Sequence, residues 1–171
     1  MGGHAGRSDL WTAGADALHN DYVARATRAQ VAIGAPAREE TFAPRHDTDA
    51  DGAPLDGRGQ RYTLRLGKDA LPPLAAFWSL TIYPAPGHRH AADALPRYRI
   101  DSTRLPHLPR DADGSLTLHL QHPIPAHAQR ANWLPIPDGP FVAVMRYYWP
   151  PPALLDTPWM APAMERARRQ D

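Results

Sequence analysis

The chain has 171 residues, with 19 Lys and Arg against 18 Asp and Glu for a formal charge of +1, so no global field draws it to nucleic acid, an anionic membrane or a polyacidic partner. It has no cysteine, which excludes disulfides, thiolate metal sites and cysteine nucleophiles and leaves the compartment open. Twenty prolines and 12 glycines oppose long helices, while 43% hydrophobic residues and five tryptophans oppose disorder; the expectation is one folded, loop-rich β domain.

The first residues, MGGHAGRSDLWTAG, lack the basic segment and apolar run of a secretory signal. No stretch reaches the roughly 18 apolar residues of a membrane span, so the chain as given is expected to be soluble; without a signal it reads as cytoplasmic as given, and its compartment is left open. Ser8 can cap a helix with Asp9 in its first turn, and Leu18, Tyr22, Ala26, Ala29 and Ile33 recur at steps of three and four. Gly34 and Pro36 are its expected stop. This single small stripe cannot make its own core, so residues 1–41 are expected to be a helical arm and linker that pack on something else.

Arg38 to Gln60 reads as a loop rich in charge, Pro and Gly. Within it, HDTDADGAPLDGR (His46 to Arg58) resembles the start of a calcium-binding loop: Asp47, Asp49, Asp51 and Gly52 stand at positions one, three, five and six. Position twelve, where a bidentate glutamate belongs, holds Arg58, and Pro54 interrupts the path. A polar turn is the preferred reading; a weaker hard-cation site on Asp47, Asp49, Asp51 and Asp56 is its rival.

From Arg61 the hydrophobic period becomes two. RYTLRL places Tyr62, Leu64 and Leu66 on one face. FWSLTIY places Trp78, Leu80 and Ile82 on one face and Phe77, Ser79, Thr81 and Tyr83 on the other. SLTLHLQ alternates Leu116, Leu118 and Leu120 with Thr117, His119 and Gln121. PFVAVMRYYWP is apolar on both faces, as a central strand covered from both sides would be. Asp-Ala-Asp-Gly at 111–114 is a hairpin signal. The pattern predicts a mainly β fold, an antiparallel sandwich or jelly roll over residues 42–160. Residues 161–171 are expected to form a frayed basic helix or a solvated tail.

Chemistry-bearing residues are few. His88 and His90 form an H-x-H pair beside Asp93 but have no clear third ligand, so no metal site is assigned. His119 and His122 are too far out of phase to share an ion. His122 stands where a strand ends and is the candidate acid or base. Arg97, Asn132, Trp133 and Arg146 are polar groups that a β core must satisfy, and they are the candidate ligand-binding set; an arginine within FVAVMRYYWP is costly unless it braces a loop or faces a ligand. Motifs for nucleotide phosphates, serine hydrolysis and zinc proteolysis are absent, and no cofactor is implied.

Taken together, DADGAPLDGRGQRYTL (49–64), LPPLAAFWSLTIY (71–83), PRYRID (96–101), DADGSLTLHLQHPIP (111–125), ANWLPIPDGPFVAVMRYYWP (131–150) and LLDTPW (154–159) resemble the DUF1214 family, the carboxy-terminal half of many bacterial two-part DUF1254/DUF1214 proteins. The resemblance implies a jelly-roll-like β-sandwich and a loop, not a calcium site, at 49–57. It also implies a short or split family member lacking the DUF1254 half, and it implies no reaction. Two functional readings follow. One is a non-catalytic binding or assembly module that pairs with itself or with a DUF1254-like partner half. The other is a hydrolase or lyase acting on a small polar or anionic substrate, with His122 as acid or base, Arg97 and Arg146 as anion clamps and Asn132 as donor.

Overall fold

The computed structural model describes residues 40–68, 77–85, 97–150 and 162–167. The amino-terminal helical arm, apart from its last residues, lies outside these, as do His88 and His90. The described chain is mainly β, with nine strands: β1 (Thr41–Phe42), β2 (Arg45–His46), β3 (Arg61–Leu66), β4 (Phe77–Pro84), β5 (Arg99–Asp101), β6 (Leu116–Gln121), β7 (Trp133–Pro135), β8 (Phe141–Tyr148) and β9 (Met164–Arg166). Two 3-10 segments, Ser102–His107 and His127–Gln129, interrupt them.

The strands form two sheets. The larger has the order β1-β8-β4-β5, with β2 also paired to β8; the smaller has the order β7-β6-β3-β9. Alternation in the sequence becomes alternation in space. In the larger sheet Trp78 faces Tyr147, Leu80 faces Met145 and Ile82 faces Ala143 across β4 and β8. In the smaller, Tyr62, Leu64 and Leu66 face Leu120, Leu118 and Leu116 across β3 and β6. All of these residues belong to one hydrophobic core. Each fully buried leucine in it contributes about 2 kcal/mol, and a slip of one residue would turn a whole row out of that core.

The apolar run from Phe141 becomes β8, the strand with the most neighbours in the larger sheet, pairing with β1, β2 and β4. Its two-sided apolarity matches this central place. Tyr147 is buried in the core, and burial pushes its phenol up from the ordinary value. His46 follows the core-side row opposite Ala143. Desolvation, partly offset by Asp47, lowers its imidazole to about 4, so it is neutral near pH 7.

Three expectations are corrected. The pairing is not wholly antiparallel, because β6 and β7 run parallel. The stretch from His122 to Asn132, with its 3-10 turn, supplies a crossover of about the dozen residues that parallel strands need. The Asp111–Gly114 turn forms, but β6 pairs with β3 and β7, so it leads the chain into β6 and joins no hairpin. Finally, Met164–Arg166, where a solvated tail or frayed helix was expected, is a strand paired with β3. Fully burying Met164 outweighs the charge of its neighbours: Glu165 points away from the core, and Arg166, opposite Tyr62, pairs with the buried Asp49.

The loop before β3 is a plug. Leu55 is buried in the core, and the Phe141 amide donates to its carbonyl at 3.1 Å. The Tyr62 hydroxyl donates to the Asp56 carbonyl at 3.0 Å and accepts from the Asp56 amide at 3.1 Å. Gly57 is fixed by a close approach: a Cβ there would stand 2.0 Å from the Pro137 carbonyl oxygen.

Candidate functional site

The residues singled out from sequence fall into two places. The first is the parallel pair β6–β7. Arg97 donates through Nη1 to the carbonyls of Trp133 (2.9 Å) and Ala131 (3.2 Å). Burial, and to a lesser degree the like charge of Arg104, lowers its pKa. Asn132, itself buried, donates through Nδ2 to the Pro109 carbonyl at 2.8 Å. The Trp133 indole donates to the Gln121 carbonyl at 2.8 Å. His122, exposed to solvent, sets its Nδ1 3.0 Å from the Ile136 carbonyl oxygen. Four side chains thus reach main-chain oxygens around a three-residue strand whose Leu134 is fully buried in the core. Hydrogen bonds of this kind contribute about 1 kcal/mol each.

Arg146 is elsewhere, on the face of the larger sheet that points away from the core. The register places it opposite Ser79, with Thr81 opposite Val144, Tyr83 opposite Val142 and Arg45 opposite Val144. On the other flank of β4, Asp101 stands opposite Ser79 and Arg99 opposite Thr81. The Arg146 guanidinium lies 5.5 Å from the centre of the Tyr83 ring. Phe77 and Tyr148 continue this face at one end, with ring centres 5.5 Å apart. Trp149 follows with a left-handed backbone, φ 50°, an indole 67% exposed and an amide donating to the Glu40 carbonyl at 2.9 Å.

The aspartates of the opening loop serve the fold. Asp49 is buried; its Oδ1 accepts from the amides of Asp51 (3.0 Å) and Ala53 (2.9 Å). Its Oδ2 lies 2.5 Å from Arg166 Nε, as an ion pair and not an aligned hydrogen bond. Asp56 binds the Arg58 side chain, which holds its carboxyl below the usual range. Asp47 lies 3.8 Å from Arg45 Nε. Among the described residues no three carboxylates or imidazoles gather as metal ligands do.

Sequence reasoning flagged Arg146 but missed Arg45, Arg99 and the Ser79 and Thr81 hydroxyls as its neighbours. The available signal was the second face of FWSLTIY, where two hydroxyl residues alternate with bulky apolar ones. No helix among the described residues is long and apolar enough to cross a membrane.

A family model described as "Protein of unknown function (DUF1214)" matches residues 40–152, more than half of the chain. Among solved structures, the VPA0106 protein of Vibrio parahaemolyticus is similar, with 26% identity and a TM-score of 0.70, over 85% of this chain and 35% of that one. An uncharacterized protein from Burkholderia cenocepacia aligns at 19% identity with a TM-score of 0.43, over 77% of this chain and 30% of that one. The chain therefore spans only about a third of the length of these solved structures. No curated protein matches it.

Proposed function

The chain belongs to the DUF1214 family, and from that premise we propose that it is a non-catalytic binding or assembly module, a jelly-roll-like β-sandwich with an amino-terminal helical arm. It pairs with a second copy or with a DUF1254-like partner half. The observation that carries this reading is the corner after β8. A large aromatic side chain at positive φ costs about 1–3 kcal/mol, and Trp149 at φ 50° is 67% exposed, so burial of its indole in this domain does not offset that cost. Beside it Tyr148 is also exposed. Tryptophan and tyrosine gathered at one corner are the residue types that anchor interfaces. The longer Vibrio parahaemolyticus chain, of which this one covers 35%, supports the idea that the fold works beside another part.

The hydrolase or lyase reading requires His122, Arg97, Asn132 and Arg146 to meet one substrate. Three of these spend a hydrogen bond on a main-chain oxygen, and Arg146 lies on the other sheet, so the binding reading is preferred.

Sedimentation velocity of the chain, alone and with a co-expressed DUF1254-like half, tests the proposal. The native chain is expected to associate. Trp149→Ser should weaken association by about tenfold or more while leaving the melting temperature unchanged, since the indole is exposed. A chain that stays monomeric at every concentration and ignores the partner half would defeat the reading.

A further inference from the structure

We propose that the face of the larger sheet turned away from the core binds a small oxyanion, a carboxylate or phosphate group, between Arg45 and Arg146. The inference goes beyond assembly and does not rest on it.

Register brings the groups together. Arg45 and Thr81 both stand opposite Val144, on the two flanks of β8, and Arg146 is two residues along the same strand beside Ser79. Opposed residues on one face are about 5 Å apart and residues two apart along a strand about 7 Å, within the reach of two arginine side chains. No described residue takes up the donors there. Arg45 Nε is buried without a hydrogen-bond partner, its nearest acid being the exposed Asp47 carboxylate at 3.8 Å. Arg146 has neither a hydrogen bond nor a carboxylate among the described residues. The Ser79 and Thr81 hydroxyls also make no hydrogen bond to a described residue, although both residues are 3% exposed.

The charges explain the kind of ligand. Arg99 is matched by Asp101 at 3.2 Å, and that carboxylate is committed further to the Thr103 amide and hydroxyl. Among the described residues of this face, Arg146 is left without a carboxylate partner. Its guanidinium carbon lies 5.5 Å from the centre of the Tyr83 ring, a contact that spends none of its N–H donors on a hydrogen-bond acceptor. A planar fork of donors beside two hydroxyls and a second guanidinium matches an oxygen anion, and the two positive charges oppose a cation. Ser79 and Thr81 at 3% and Val142 at 4% exposure leave no open surface there for a polymer, which restricts the proposed ligand to a small group.

The test follows the arginine Nε–Hε signals of the full chain by NMR during titration with sodium acetate and with sodium phosphate, each at ionic strength matched by sodium chloride. Saturable shifts at Arg45 and Arg146 with either probe are expected, and whichever probe binds more tightly tells a carboxylate from a phosphate ligand. Arg146→Met should weaken binding about tenfold or more, because a charge-assisted pair is lost. Thr81→Val, close in shape, should weaken it severalfold with an unchanged melting temperature, which keeps the test alive if Arg146→Met does not fold. Arg58→Met, exposed and paired only with Asp56, should bind as the native chain does. Absence of saturation with both probes, or equal shifts in Thr81→Val and the native chain, would overturn the proposal.

Discussion

The tetrapeptide Asp-Ala-Asp-Gly occurs twice, at 49–52 and at 111–114, and both copies make the same backbone turn. Gly52 and Gly114 have φ 84°. In each copy the glycine amide donates to the first aspartate's carbonyl, at 3.0 and 2.9 Å, and the first aspartate's amide donates to the residue after the glycine, at 2.8 and 2.9 Å. Their surroundings differ. Asp49 is buried, held by two amides and Arg166, while the Ala50 amide ties the turn to the Met164 carbonyl of β9. In the second turn the work falls to the outer carboxylates, which accept from Ser115 and Thr117 and pair with Arg65 in solvent. Local sequence therefore fixes the turn, and packing decides which aspartate becomes costly to lose. The comparison also accounts for the calcium-like spacing, since the same four residues make the same turn where no such spacing surrounds them.

The largest effect should come from removing the first aspartate of each turn. Asp49→Ala leaves two amides and a guanidinium without their acceptor in a buried place, and should cost about 2–4 kcal/mol. Asp111→Ala, in the more open turn, should cost about 1 kcal/mol. Urea unfolding of both variants measures this, and equal losses would break the contrast.

Next in size, Gly52→Ala and Gly114→Ala should each cost about 1 kcal/mol, because alanine is strained at positive φ. An added Cβ meets nothing within 4 Å at Gly52 and only the flexible Lys68 side chain, at 3.2 Å, at Gly114. Unequal costs in the same urea assay would show that the two backbones are not equivalent.

The smallest effect is a response to acid. Hydrogen bonds from the Ser115 side chain and amide, helped by Arg65, lower the Asp113 carboxyl to about 2 from its ordinary 3.8. A folded pKa below the unfolded one contributes stability that is present above the unfolded value and lost as pH falls towards the folded one. The native chain should therefore lose stability between about pH 4 and pH 2 partly through Asp113. Melting curves of Asp113→Asn should be flatter across that window; an unchanged slope would separate the hydrogen bonds from any role in stability.

Much of the fold was legible because its long strands carry their own pattern. Tyr62, Leu64 and Leu66, then Leu116, Leu118 and Leu120, alternate over six residues each, enough to establish a period of two. The short strands were not legible. β1, β2, β5, β7 and β9 have only two or three residues, too few for any period, and Met164 is one apolar residue among charges. The family resemblance, by contrast, depended on the order and spacing of six segments between residues 49 and 159, and the family model covers residues 40–152. The cost of an arginine in β8 was also visible, but not its surroundings: Arg45, Ser79, Thr81 and Arg146 meet only through strand register.

By itself, then, the sequence determined the period-two strands, the two Asp-Ala-Asp-Gly turns and the apolar set of the core, because these depend on sterics and hydrogen bonds within a few consecutive residues. Tertiary structure alone decided that β7 runs parallel to β6, that Met164–Arg166 adds β9 to the smaller sheet, and that Arg146 finds no hydrogen-bond acceptor among the described residues while Arg97 has none to spare at Nη1. Those outcomes depend on which distant segments share a register and which polar groups they bury together, and no local pattern encodes that.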